Sequence, residues 1–113
     1  MGTCIFCAIA SGAVSSEIVY RGEHVIGFRD IHPQAPVHVL VIPRRHIATL
    51  NDLTEADDVV WLEMHRAIRQ VARELELDAG YRVVVNCQAA AGQTVFHLHA
   101  HVLGGRSMHW PPG

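Results

Sequence analysis

Phe96-His97-Leu98-His99-Ala100-His101-Val102-Leu103 sets three of the chain's nine histidines at alternate positions, with an apolar residue between each pair. Side chains of a β-strand point to opposite faces in turn, with roughly 6.5–7 Å between positions i and i+2. A strand over residues 95–103 therefore lines up His97, His99 and His101 and turns Phe96, Leu98, Ala100 and Val102 toward the core. Imidazole, with an ordinary pKa of about 6.5, can serve as nucleophile, acid or base near neutral pH. Isolated histidines are often no more than hydrogen-bonded polar residues. A tag, however, would not alternate with strand formers and run on into a core-like stretch.

The segments around this strand read as one α+β domain over residues 1–113, with a mostly antiparallel sheet of about five strands, one long helix and a short N-terminal helix. Residues 4–10 suit one or two helical turns, stopped at Ser11-Gly12 because glycine takes the left-handed C-terminal conformation. Residues 18–21 and 24–28 read as strands about a tight turn at Gly22-Glu23. The β-branched run Val37-His38-Val39-Leu40-Val41-Ile42 is a strand that Pro43 ends. Thr54, with Asp57 three residues on, caps a helix over residues 55–77, in which Val60, Met64, Ala67, Ile68, Val71 and Leu75 recur at helical spacing. After Gly80, residues 81–87 form another strand, residues 88–94 a loop and residues 104–113 a tail. One long helix covers one sheet face, so a polar site or a partner subunit accounts for part of the other.

Composition narrows the function. The chain has 113 residues, half of them hydrophobic, which suits a single core. Nine Lys+Arg against eleven Asp+Glu leave a charge of -2 and no basic run beyond Arg44-Arg45, so neither nucleic acid nor a membrane surface is the expected partner. No apolar segment approaches the ~20 residues that span a bilayer, and the start lacks a basic leader, so a cytoplasmic location is expected. Cys4 and Cys7 have the spacing of a zinc half-site, a redox pair or two buried thiols. A tetrahedral structural site needs two further ligands, for which His46 and His97 are candidates.

His97-Leu98-His99-Ala100-His101-Val102-Leu103 resembles the signature of the histidine triad (HIT) family. The likeness extends to Cys4-Ile5-Phe6-Cys7, to Phe28-Arg29-Asp30-Ile31-His32-Pro33-Gln34-Ala35-Pro36, to His38-Val39-Leu40-Val41-Ile42-Pro43 and to Arg82-Val83-Val84-Val85-Asn86. With the end Gly104-Gly105-Arg106-Ser107-Met108-His109-Trp110-Pro111-Pro112-Gly113, these blocks resemble the histidine triad nucleotide-binding (HINT) branch in order and spacing.

The resemblance implies hydrolysis of purine nucleoside 5'-phosphoramidates such as adenosine 5'-phosphoramidate, releasing a nucleoside monophosphate and an amine. His99 would attack phosphorus to form a nucleotidyl intermediate; His101 and His38 complete the catalytic set. Asp30 corresponds to a ribose-binding carboxylate, while Phe6, Phe28 and Ile31 offer the base an apolar slot. Asn86, Gly92, Gln93, Thr94 and Val95 surround the phosphate, and Trp110 lies on a tail that reaches a partner's site. It also implies a homodimer, supported by apolar helix residues such as Trp61, and a structural zinc on Cys4, Cys7, His46 and His97 with no organic cofactor. The loop Cys87-Gln88-Ala89-Ala90-Ala91 departs from the usual glycine and acidic residues, which bears on leaving-group preference. Two other readings follow from the same residues: a nucleotide-binding regulator with incidental hydrolysis, and a zinc-binding structural protein.

Overall fold

A computed structural model describes residues 4–113. Five strands, β1 (Ile18–Arg21), β2 (Val25–Arg29), β3 (Val37–Pro43), β4 (Tyr81–Val84) and β5 (Ala100–Gly104), form one antiparallel sheet in the order β1-β2-β3-β5-β4. With the short helix α1 (Ile5–Ser11) and the long helix α2 (Asp58–Glu74), this is the expected α+β arrangement. Among the described residues no helix is long and apolar enough to cross a membrane.

The β-branched run makes β3 the centre of the sheet, paired with β2 from Val25↔Pro43 to Arg29↔Val39 and with β5 from Val37↔Gly104 to Val41↔Ala100. Its two faces enter different cores. Val39 and Val41, with Val25, Ala100 and Val102, meet Val60, Met64, Ala67 and Val71 of α2. Leu40 and Ile42, with Ile26 and Phe28, meet Phe6 and Ile9 of α1. Each fully buried aliphatic side chain contributes roughly 1.5–3 kcal/mol by leaving water, so the more populous α2 face is the main anchor. Because α1 is short, the opposite face stays partly open.

The ends of the elements follow from local chemistry. Gly12, at φ +85°, closes α1 with its N–H on the Ile9 carbonyl. Thr54 N–H donates to the Asp57 carboxylate at 3.0 Å, as expected for the cap, but residues 55–57 form a 3₁₀ turn and the α-helix starts at Asp58. It stops at Glu74 rather than Leu77: Glu76 takes φ +62° and Leu77 folds back, its N–H on the Ala72 carbonyl at 2.7 Å. Leu77 is nonetheless buried, and a Cβ on Gly104 would come within 2.6 Å of it, so the residue expected at the helix end enters the core from outside the helix.

Two strands are shorter than expected. The β4 ladder ends at Val84↔His101, leaving residues 85–87 outside it. The histidine strand begins at Ala100, not at residue 95. Pro43 has no N–H to continue the β3 ladder, and the chain before Ala100 instead bonds the Ile47 carbonyl through Leu98 N–H at 2.6 Å. Leu98, Ala100 and Val102 are buried as expected, whereas Phe96 is 42% exposed.

Candidate active site

A cavity of about 490 Å³ opens on the α1 side of the sheet. Its floor is Phe28 of β2, His38 and Leu40 of β3 and His101 of β5, with His99 just before β5. Phe6 and Ile9 of α1, the turn carrying Asp30, Ile31 and Gln34, and the pair Thr94 and Val95 complete the walls. Phe6 and Phe28 meet edge to face at 5.5 Å, and Phe6 also meets the His99 ring at 5.1 Å. Ile31, 82% exposed, stands at the mouth. This gives an apolar slot ending in imidazoles.

Backbone groups define which nitrogen of His97, His99 and His38 carries its proton, and His38 in turn sets His101. His97 Nε2–H donates to the Pro43 carbonyl at 2.8 Å, leaving Nδ1 with a free lone pair. His99 Nδ1–H donates to the His97 carbonyl at 2.7 Å, so its other nitrogen, Nε2, is the one able to act as a nucleophile. His38 Nδ1 accepts the Gln34 N–H at 3.0 Å, so Nε2 holds the proton and donates to His101 Nδ1 at 2.9 Å. His101 is thereby left with Nε2–H as its donor. None of these assignments relies on a side chain chosen for its charge.

Burial, followed by repulsion from the neighbouring His99 and His38, holds His101 down at about 4. Burial also lowers His38, against the opposing pull of Asp30. Both rings are therefore neutral donors and acceptors in the free protein at neutral pH. Asp30 takes the His32 N–H on Oδ1 at 2.8 Å, and its Oδ2 lies 3.4 Å from His38 Nε2. Asp30, His38 and His101 bring possible ligand atoms within 4.8 Å of one another. Yet His38 Nε2 cannot ligate a cation while Nδ1 accepts a backbone N–H, so this trio is a hydrogen-bond relay.

The loop before the histidines is not uniformly part of the cavity. Thr94 and Val95 border it, whereas Gln93 is 3% exposed and turned inward. Its amide oxygen accepts Gln88 N–H at 2.8 Å, and its nitrogen donates to the Ala48 and Val95 carbonyls at 2.9 and 3.1 Å. The expected phosphate contact from this amide is thus replaced by a brace inside the loop. Gln88 is held at φ 79°, ψ 163°, a region otherwise occupied almost only by glycine. Gly92, at φ +96°, has its missing Cβ 4.0 Å from Asn86 Nδ2, so these two sit together beside the loop without lining the cavity. Trp110 is 82% exposed and does not line it either; the tail is tied back where Arg82 donates to the His109 carbonyl at 2.7 Å. The roles of Gln34 N–H and the Pro43 and His97 carbonyls leave no trace in the sequence, because any residue type supplies a backbone group.

The second cluster joins Cys4, Cys7, His46 and His97, whose ligand atoms lie within 4.8 Å of one another. Cys4 Sγ and Cys7 Sγ lie 3.4 and 3.5 Å from His97 Nδ1, and Cys7 Sγ lies 3.3 Å from His46 Nδ1. A tetrahedral zinc with its usual sulfur and nitrogen bond lengths requires S···N edges of about 3.6 Å. The four residues fit that demand, and the Pro43 carbonyl on the far nitrogen of His97 is the customary partner of a ligating imidazole. The group can therefore hold a metal ion of the zinc type.

Residues 11–108 match the HIT domain model, and the chain belongs to that family. A HIT family hydrolase from Legionella pneumophila superposes with a TM-score of 0.95 at 43% identity, covering 98% of this chain and 100% of that one. An uncharacterised HIT-like protein from Synechococcus elongatus is 44% identical over 109 residues, 96% of each chain. A histidine triad nucleotide-binding protein from Candida albicans superposes with a TM-score of 0.84 at 30% identity, covering 98% of this chain and 85% of that one. The sheet and the two helices are those of the HIT fold.

Proposed function

We propose that the protein is a nucleotide hydrolase of the HINT type, cleaving the P–N bond of purine nucleoside 5'-phosphoramidates through a covalent nucleotidyl-His99 intermediate. The observation that carries this reading is the hydrogen bond from His99 Nδ1 to the His97 carbonyl, which leaves Nε2 as the nitrogen to attack phosphorus. In the first step the N–P bond to His99 forms as the bond to the amine breaks. His101 Nε2–H, its tautomer held by His38, hydrogen-bonds the phosphoryl oxygen and the departing nitrogen. In the second step water attacks phosphorus, the bond to His99 breaks, and the nucleoside monophosphate leaves. Negative phosphate beside His101 raises its proton affinity, so with substrate bound the ring takes up a second proton from solvent and, as the imidazolium, passes one through Nε2 to the departing amine.

Phe6, Phe28 and Ile31 enclose the base by dispersion and apolar contact, which favours a purine for its area over any hydrogen-bond code. Asp30 accepts from the ribose hydroxyls. Thr94 and Val95 border the phosphate, while Asn86, Gly92 and Gln93 support that border from behind.

Cys4, Cys7, His46 and His97 would hold a structural zinc, which when bound ties the first turn of α1 to the chain around Pro43. A homodimer is supported by the open edge of β4, where Tyr81 and Val83 are 37% and 42% exposed, and by Trp61 at 41% on α2. In a dimer the exposed Trp110, beyond the point where Arg82 holds the His109 carbonyl, would extend toward the partner's cavity. A cytoplasmic setting suits free thiols.

AMP release from adenosine 5'-phosphoramidate by the wild-type protein and by His99→Ala tests the reading. Turnover confined to the wild type is expected. AMP binding without turnover in the wild type would replace the hydrolase with a nucleotide-binding regulator.

A further inference from the structure

We propose that Cys4 and Cys7 are a hydroperoxide-sensitive thiol pair whose oxidation to a disulfide disarms the nucleotide cavity. The inference deepens the zinc and hydrolase readings above, and rests on a physical link between the two clusters that neither reading requires.

The link is His97. Its ring nitrogen Nδ1 is the point on which both thiols converge, at 3.4 and 3.5 Å. Its backbone carbonyl is the acceptor for His99 Nδ1–H at 2.7 Å. A second connection runs through α1: Phe6, between the two cysteines in sequence, meets the His97 ring at 5.9 Å and the His99 ring at 5.1 Å. Movement of the sulfurs therefore reaches both the group that orients the nucleophile and the ring packed against it.

The pair is built for bridging. Cys4 and Cys7 are three residues apart in one helical turn, the Cys7 N–H already lies 3.3 Å from Cys4 Sγ, and both thiols are partly exposed. Helix geometry sets Cα atoms at this spacing about 5 Å apart, within the ~4.4–6.8 Å a disulfide spans. A hydroperoxide converts the Cys4 thiolate to a sulfenic acid as its O–O bond breaks and water or an alcohol leaves. The Cys7 sulfur then attacks the Cys4 sulfur, the S–O bond breaks and a second water leaves. Two thiols and one hydrogen peroxide thus give one disulfide and two waters, and any metal ion departs with its charge unchanged.

Closing the sulfurs to about 2.05 Å withdraws both from His97 Nδ1. The His97 ring loses its partners on that side, and the α1 turn that carries Phe6 is pulled with them. The pull works against the His97–Pro43 and Leu98–Ile47 hydrogen bonds that also hold this residue, and once it displaces the His97 carbonyl, His99 is free to carry its proton on Nε2, where it blocks attack.

The test uses the full-length protein with Cys87→Ser to remove the third thiol, titrated with hydrogen peroxide. Peptide mapping follows the Cys4–Cys7 disulfide, a chromogenic chelator follows zinc release, and NMR follows the His99 Nδ1 proton. AMP release from adenosine 5'-phosphoramidate is measured alongside. The disulfide, the loss of the His99 signal and a fall in turnover of at least about tenfold are expected to advance together and to reverse with dithiothreitol and zinc. Adding Cys7→Ser should make turnover resistant to the same dose; if that variant does not fold, the reversible titration decides alone. A complete Cys4–Cys7 disulfide with the His99 signal and turnover intact would overturn the proposal, as would inactivation without that disulfide. Protein isolated without zinc would refute the metal reading and leave the thiol titration as the test. A reduced protein that releases no AMP would refute the hydrolase reading, and the His99 signal would then decide.

Discussion

Lowering the pH should destabilise the protein in a window set by His101. Its pKa is pushed from the ordinary 6.5 to about 4, first by burial and then by His99 and His38. As the pH falls below 6.5 the unfolded chain takes up this proton before the folded chain does, so the native state is progressively disfavoured until about pH 4. The full shift would amount to about 3 kcal/mol at pH 4, and access of solvent to a ring at the cavity floor reduces this to ~1.5–3 kcal/mol. Above pH 6.5 the effect is absent. His38 is lowered in the same direction and adds to the trend. Urea denaturation in phosphate-free buffer from pH 7.5 to 4, on wild type and on His101→Gln, isolates the contribution. The wild type should lose ~1.5–3 kcal/mol more than the variant over that span. Parallel curves for the two proteins would show that His101 titrates normally and that the crowding of imidazoles has been misread.

Gln88→Gly relieves a backbone conformation that costs of order 1–3 kcal/mol, against ~0.5–1 kcal/mol for the added freedom of an unfolded glycine; a net gain of ~0.5–2 kcal/mol is expected in thermal or urea unfolding. Gln93→Ala leaves the Ala48 and Val95 carbonyls and Gln88 N–H without their partner, so a loss of ~2–4 kcal/mol is expected, with faster hydrogen exchange confined to residues 86–95. Stripping metal with a chelator under reducing conditions should lower the melting temperature and increase exchange in α1, both restored by stoichiometric zinc. An unchanged melting curve would remove the zinc from Cys4, Cys7, His46 and His97.

The sequence carried most of the fold because its decisive segments have strong periods and clean stops. Val37-His38-Val39-Leu40-Val41-Ile42 alternates across two real faces, and Gly12 ends α1 through a left-handed conformation. Errors arose where tertiary contacts override local pattern. Leu77 lies at the expected end of the helix but reaches the core by folding back outside it, and Phe96 lies beyond the β3–β5 ladder, which ends at Val41↔Ala100 and so does not enforce its alternation. The residue types lining the cavity were legible, including Phe6, Phe28, Asp30 and the histidines. Backbone contributions were not: Pro43 and His97 carbonyls and Gln34 N–H fix the three tautomers. The resemblance sets Gln93 at the phosphate, and what no local pattern shows is that its amide also braces three backbone groups that only the folded loop brings together.

The central claim is that His99 Nε2 becomes bonded to phosphorus. Rapid acid-free quenching of the protein with adenosine 5'-phosphoramidate, followed by intact-mass and peptide mass spectrometry, tests it directly. The account predicts a transient adenylyl adduct on the peptide containing His99, formed before AMP and absent in His99→Ala. AMP production at full rate with no adduct at any time, or with the adduct on His101 or His38, would contradict it.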